Sequence, residues 1–202
     1  MRGLNFKHMN KNIIIAGVGG QGILTIASII DLAAMHIGLH VKQAEVHGMS
    51  QRGGEVQSHL RISDQEIFSD LIPLGKANLI LSVEPMEALR YLPYLSPDGM
   101  IVTATEPFKN IDNYPDEAAL KAGIEQNAKA LFVDAATVAR EVGNAKSYNI
   151  VMLGAAAPFL GIDPPEFEWA IGQLFASKGQ EVVALNIAAF RRGLLIAQNF
   201  EK

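Results

Sequence analysis

The chain has 202 residues, 49% hydrophobic and 19% charged, with a formal net charge of −4 and no cysteine. That length suits one domain burying roughly 70% of its unfolded surface, and the charge carries no footprint of a nucleic-acid binder. Without cysteine, disulfides, thiolate nucleophiles, cysteine-type zinc sites and iron–sulfur ligation are excluded within this chain.

No apolar run reaches the ~18–20 residues of a membrane span. The nearest, Ile150 to Ile162, is broken by Gly154, Pro158 and Gly161. The opening MRGLNFKH lacks a signal-peptide core, so a cytoplasmic location is expected. Met9 begins a natural-looking start, MNKNIII, so residues 1–9 read as a leader, appended or left by an alternative start. The single domain then covers residues 10–202.

Asn12–Ala16 is a β-branched run ending at glycine, the pattern of a buried strand. Gly20 to Gly38 reads as a helix apolar on most sides, stopped by Gly38. Leu39–Val46 and Glu55–Ile62 are two strands separated by eight residues, too few for a crossover helix, so they are expected as antiparallel neighbours. Asn78–Val83 is a further buried strand, followed by a helix around Pro85–Leu92 with proline in its first turn. Gly99–Ala104 is another strand, Asp112–Pro115 a turn, Asp116–Ala130 an amphipathic helix and Ala130–Asp134 the last strand. Helices follow at Ala135–Val142, Asn149–Leu160, Pro164–Lys178 and Glu181–Asn199. The pattern predicts a three-layer α/β/α sandwich with a mostly parallel, mixed sheet and a helical C-terminal third.

Two glycine-rich segments carry the functional signal. GVGGQG, Gly17 to Gly22, fits G-x-G-x-x-G, with Gly17, Gly19 and Gly22 in register and Gly20 and Gln21 inside the turn. A strand running there into a helix N-terminus offers free backbone N–H groups to an anion. Glu45 stands 23 positions after Gly22 at a strand end, where a dinucleotide-binding fold places its ribose-binding acid. Against this, the chain after Glu45 enters a polar loop and another strand in place of a second crossover helix. The bland alternative is a turn that merely lets strand and helix pack closely.

The second segment is HGMSQRGG, with His47, Ser50, Gln51, Arg52, Gly53 and Gly54 expected at the same sheet edge. An arginine on such a loop suits a carboxylate or phosphate held by two parallel hydrogen bonds; its alternative is an exposed surface arginine. His47 has the ordinary titration range of a general base, yet a structural histidine is the commoner outcome. Glu45, His47 and His59 lack a compact metal-ligand spacing, and Ser50 is not in a nucleophile elbow. Asn149 is expected as an N-cap, with Gly154 on a close-packing face; Asn186, Phe190, Arg191 and Arg192 on the last helix read either as a contact for a partner chain or as a solvated arginine pair.

Taken in order, NIIIAGVGGQGILTIASII, AEVHGMSQRGGEVQSHLRI, NIVMLGA and N-x-x-A-F-R-R-G (Asn186 to Gly193) resemble the gamma subunit or gamma domain of the 2-oxoacid:ferredoxin oxidoreductases, most of all the small subunit of the indolepyruvate enzymes. The resemblance implies a subunit of an oxidoreductase acting on a 2-oxo group, forming an acyl-coenzyme A and reducing ferredoxin. It places thiamine diphosphate, magnesium and iron–sulfur clusters on a larger partner subunit, through which ferredoxin is reached, and coenzyme A as co-substrate. No cofactor or metal is assigned to this chain alone and no residue as chemical acid or base. Gly17 to Gly22 and His47 to Gly54 are expected to face substrate or coenzyme A, with Arg52 meeting a carboxylate or phosphate. The isolated chain is expected to be inactive and able to form a homodimer; neither nucleic acid nor membrane is expected as a partner. A self-contained NAD-binding dehydrogenase or binding module built on GVGGQG and Glu45 is the competing reading, and a scaffold that contacts only protein is a third.

Overall fold

The computed structural model describes residues 9–47, 54–109, 111 and 113–200. Three consecutive β-branched residues, Ile13 to Ile15, set the first strand, β1 (Asn10–Val18), which is fully buried from Ile13 onward. The chain then forms α1 (Ile23–His36), β2 (His40–His47), β3 (Glu55–Ser63), β4 (Ala77–Ser82), α2 (Pro85–Arg90) and β5 (Leu95–Ala104). It continues through α3 (Glu117–Asn127), β6 (Lys129–Val133), α4 (Ala135–Glu141), α5 (Tyr148–Leu160), α6 (Pro164–Phe175) and α7 (Gln180–Phe200). No described helix is long and apolar enough to cross a membrane.

The sheet order is β2-β3-β1-β4-β5-β6. β3 runs antiparallel to both β2 and β1, while β1, β4, β5 and β6 pair in parallel. The expected β2–β3 hairpin is therefore present. Its placement is new: β3 lies between β2 and β1.

Successive residues of the central strands alternate between two cores. Ile13, Ile15, Leu79, Leu81 and Val102 face the larger core, with residues of α1, α4, α5, α6 and α7. Ile14, Ala16, Ile80 and Ile101 face the smaller one, with Ala88 of α2 and Ile124 of α3. This period of two, with helices on both sides, is the three-layer sandwich. Each fully buried isoleucine contributes about 1.5–3 kcal/mol by leaving water, so the sheet centre anchors the domain.

Element boundaries follow local chemistry. α1 starts at Ile23, three residues later than expected, because Gly20 (φ 97°) and Gly22 (φ 79°) are left-handed. Gly38 (φ 83°) ends it, its N–H donating to Met35 O at 3.0 Å while Leu39 N–H reaches Ala34 O at 3.0 Å. α3 begins one residue after Asp116, which caps it by accepting the Ala119 N–H at 3.0 Å. Asp112 of the expected turn lies outside the described residues.

α5 and α7 cross in backbone contact. A Cβ on Gly154 would sit 2.0 Å from the Phe190 carbonyl oxygen, and one on Gly193 2.0 Å from that of Val151. Phe190, fully buried, stacks obliquely on Phe167 of α6 at 5.5 Å. Phe190 is thus core, while Arg191 and Arg192 pair within the chain with Glu168 and Glu141.

Candidate functional site

β1 sends its connection to α1 on the larger-core face, whereas β4 beside it sends its own to α2 on the other. That divergence opens a crevice at the carboxyl ends of the two strands, the place where open α/β sheets receive ligands. The Gly19–Gly22 turn lies in it.

Each residue of the turn has a distinct duty. Gly17 is the penultimate residue of β1, and a Cβ there would meet Val83 Cγ2 at 2.5 Å and Ile23 Cδ1 at 2.8 Å. It therefore lets strand, helix and the β4–α2 loop close together, and it lines none of the clefts below. Gln21 staples the turn: Oε1 accepts the Val18 N–H at 2.7 Å and Nε2 donates to Val83 O at 3.4 Å. Gly19 N–H donates to Gly54 O at 2.9 Å, which joins the first glycine loop to the end of the second. Gly22 is left-handed, and its carbonyl accepts from Asn149 Nδ2 at 3.3 Å.

Three clefts meet at the turn. One, about 310 Å³, runs over the ends of β4, β5 and β6 past Val83, Glu106, Phe108 and Tyr148. A second, about 590 Å³, is bounded by Gly20, Gly22, Lys146, Asn149, Lys178 and Asn186. The third lies between the turn, Leu24, Val56 and Glu45.

The second cleft is electropositive. Its charged lining residues are Lys146 and Lys178, neither in an ion pair among the described residues. The N-terminal end of α1 adds its partial positive charge. Burial pushes the Tyr148 hydroxyl above its ordinary value, so it stays a protonated donor at neutral pH. Asn149 and Asn186, both more than nine-tenths buried, complete the wall, Asn186 held through Nδ2 donating to Val182 O at 2.8 Å. The arrangement can hold an anion and orient it. Among the described residues no three His, Asp or Glu side chains gather as metal ligands.

A buried carboxylate fixes the wall of the first cleft. Glu84, at zero exposure, caps α2 by accepting the Glu87 N–H at 3.0 Å through Oε2. Its Oε1 accepts the Phe108 N–H at 3.3 Å and the Tyr114 hydroxyl. Burial first, and that bond second, raise the Tyr114 pKa, so the phenol remains a donor.

Of the residues singled out from sequence, Gly19, Gly20, Gln21 and Gly22 line the clefts, His47 ends β2 and Gly54 precedes β3. Ser50, Gln51, Arg52 and Gly53 lie outside the described residues. The Asn149 expectation needs correction: α5 starts at Tyr148, Ser147 is its N-cap residue, and Asn149 turns its amide to Gly22. Asn186 likewise faces the cleft, buried within the chain. Lys146, Lys178 and Glu84 were not anticipated. Each is an ordinary polar residue in sequence, and only the tertiary fold brings them to the crevice.

The sequence matches the pyruvate ferredoxin/flavodoxin oxidoreductase family model over residues 12–196. The chain belongs to that family. Within the family it is 38% identical over 195 residues to the indolepyruvate oxidoreductase subunit IorB of Pyrococcus horikoshii, covering 93% of this chain and 96% of that one. The IorB subunit of Archaeoglobus fulgidus is 36% identical over 197 residues, covering 92% and 94%. Among solved structures, the keto/oxoacid ferredoxin oxidoreductase gamma subunit of Geobacter sulfurreducens shares the fold with a TM-score of 0.70 at 24% identity, covering 94% and 99%. The 2-oxoglutarate:ferredoxin oxidoreductase of Magnetococcus marinus, solved with 2-oxoglutarate, coenzyme A and succinyl-CoA, matches with a TM-score of 0.76 at 23% identity. There the match covers 94% of this chain and 31% of the other, so the same unit forms about a third of a longer polypeptide.

Proposed function

We propose that the chain is the gamma-type subunit of a thiamine-diphosphate-dependent 2-oxoacid:ferredoxin oxidoreductase acting on indolepyruvate. In this reading a larger partner subunit holds thiamine diphosphate, magnesium and iron–sulfur clusters and passes electrons to ferredoxin. This chain closes the active-site mouth and grips the phosphates of coenzyme A. The observation that carries the reading is the convergence of three separated segments, GVGGQG, Asn149 and Asn186, on one cleft whose charged side chains are both lysines. Lysine ammonium groups and a helix N-terminus suit phosphate. The indolepyruvate assignment is supported by similarity to IorB subunits over nearly their whole length.

The residues present fit binding and orientation of an anion, and they do not fit iron–sulfur ligation. With no cysteine in the chain, cluster ligation needs a partner. The NAD-dehydrogenase alternative is disfavoured by topology. β3 stands between β1 and β2 and moves Glu45 one strand further from the glycine turn than a mononucleotide-binding half requires.

The test is reconstitution with the larger subunit, following indolepyruvate- and coenzyme A-dependent reduction of ferredoxin. Activity should need both chains. Lys146→Ala with Lys178→Ala should raise KM for coenzyme A about tenfold or more while leaving KM for indolepyruvate within about twofold, the loss expected for charge-assisted contacts. Turnover by the isolated chain, or tight binding of NAD(H) to it, would overturn the proposal.

A further inference from the structure

The loop between β3 and β4, residues 64–76, presents the most solvent-exposed large apolar side chain described: Phe68 is 86% exposed, with Leu74 at 65% and Leu71 at 53%. Such residues are unremarkable when scattered over mobile loops. Here they share thirteen residues of chain, and that chain is tied down. Arg61 Nη1 donates to Ser69 O at 2.8 Å and to Leu71 O at 3.4 Å. Ile72 N–H donates to His59 Nδ1 at 3.0 Å, and Gly75 N–H to Pro93 O at 2.9 Å. Ile67 and Ile72 are buried beneath the loop as anchors. An apolar surface held in place at both ends and the middle loses little conformational entropy on being covered.

Charge says what covers it. Asp64, Glu66 and Asp70 sit among the apolar residues, in no ion pair among the described residues; the cations at the loop are Lys76 and Arg61, whose guanidinium is taken up by the Ser69 and Leu71 carbonyls. Covering three carboxylates with a neutral surface would strand them away from water, which is costly. Pairing the loop with a second copy of itself would set acid against acid. The loop therefore calls for a basic, apolar surface on a different protein.

We propose that residues 64–76 dock this chain onto the larger subunit of its oxidoreductase, through a hollow on that subunit rimmed by arginine or lysine. The proposal rests on the reading of the chain as a subunit of such an assembly. The loop leaves β3 at Ser63, whereas the glycine turn meets the opposite end of that strand, near Glu55. Docking and ligand handling thus occupy opposite ends of the sheet.

The experiment measures association of the full chain with the purified larger subunit by titration at low and high salt. The native pair should associate, and Phe68→Ala should weaken Kd about tenfold or more, the range of a central aromatic anchor. Glu66→Lys with Asp70→Lys should weaken it similarly and flatten its salt dependence. Leu195→Ala on the exposed face of α7 should leave Kd unchanged, and kcat at saturating chain should be unchanged in all variants. Because Phe68 is exposed, the variants should keep the native Tm, which separates lost docking from lost folding. A native pair that associates while every loop variant binds equally well would sink the docking proposal and leave the subunit reading standing. Failure of the native pair to associate would sink both. A monomer–dimer equilibrium abolished by the loop variants, or a fall in Tm on removing residues 1–8 that those variants erase, would show a different occupant and overturn the proposal.

Discussion

Gly154→Ala pits helix propensity against backbone contact, and the geometry says which wins. An alanine inside a helix is favoured over glycine by about 1 kcal/mol. Here its Cβ would lie 2.0 Å from the Phe190 carbonyl oxygen and 2.9 Å from the carbonyl carbon. Ordinary carbon–oxygen contacts settle at about 3.3 Å or more, so α5 and α7 must separate by roughly 1 Å. A gap of that size forfeits about a quarter to a half of the dispersion energy across the seam. Overpacking typically costs about 1–3 kcal/mol, and a backbone carbonyl cannot rotate aside as a side chain would, which places this case at or above the upper end. The net expectation is a loss of about 2–3 kcal/mol, or a fall in Tm of roughly 4–12 °C for a chain of this size. Urea and thermal melts of the purified chain measure it. Gly193→Ala strikes the same crossing through Val151 O at 2.0 Å. Once one Cβ has forced the helices apart the second is accommodated, so the double variant should cost clearly less than the two singles together. Asn186 lies on α7 one turn before Phe190, so the separation should also displace one wall of the lysine cleft. A Gly154→Ala chain as stable as the native one, or additive losses in the double variant, would refute the account of the crossing.

Gly22→Ala places a side chain on a left-handed residue 2.3 Å from Asn149 Nδ2, and should cost about 1–3 kcal/mol in a urea melt while weakening coenzyme A binding by the assembled enzyme. Burial lifts the Asp31 carboxyl from 3.8 to about 7. The folded chain then binds its proton more tightly than the unfolded chain, so stability from this group is present below pH 4 and declines as pH rises to about 7. Asp31→Asn should therefore stabilise the chain by about 1–2 kcal/mol at pH 8, after allowing for partial solvation of a site with a roughly 4 kcal/mol ceiling, and hardly at all near pH 4. Equal effects at both pH values would refute this. His59 titrates the other way: burial holds it below its ordinary 6.5, only partly opposed by Asp70. Its neutral form accepts the Ile72 N–H, so this contribution is complete above pH 6.5 and is lost as pH falls toward the folded pKa. His59→Gln should flatten the fall in stability as pH drops below 6.5; an unchanged slope there would contradict the assignment.

Much of the fold is legible in the sequence because it depends on near neighbours. The isoleucine run of β1, the eight-residue separation that forces a hairpin, and the glycine that halts α1 all act over a few residues. The position of β3 does not. Pairing Ile14 with His59 on one side and Ile80 on the other is a choice among strands far apart in the chain, and alternation within β3 is the same beside either neighbour. The site divides the same way. GVGGQG declares itself through spacing, and Gly19, Gly20 and Gly22 stand at the crevice while Gly17 serves packing. Gln21 shows only as a polar residue inside the turn; the fold commits its amide to Val18 and Val83. Asn149 looks like a helix cap because it stands where the apolar run NIVMLGA begins, but Gly22, 127 residues away, offers its amide a better partner. Lys146 and Lys178 carry no local signal, since a lysine in a turn before a helix is ordinarily solvated.

The wedge of β3 between the first two strands bears on how the polypeptide emerges from a ribosome. β1 is made before both of its flanking partners, which arrive only with residues 55–63 and 77–82. Until then Ile13, Ile14 and Ile15 belong to an unshielded, strongly β-forming ribbon, the kind of segment that recruits copies of itself. A nascent chain halted before Ser63 leaves that ribbon without either partner, so a stall there should favour self-association more than a stall after residue 82.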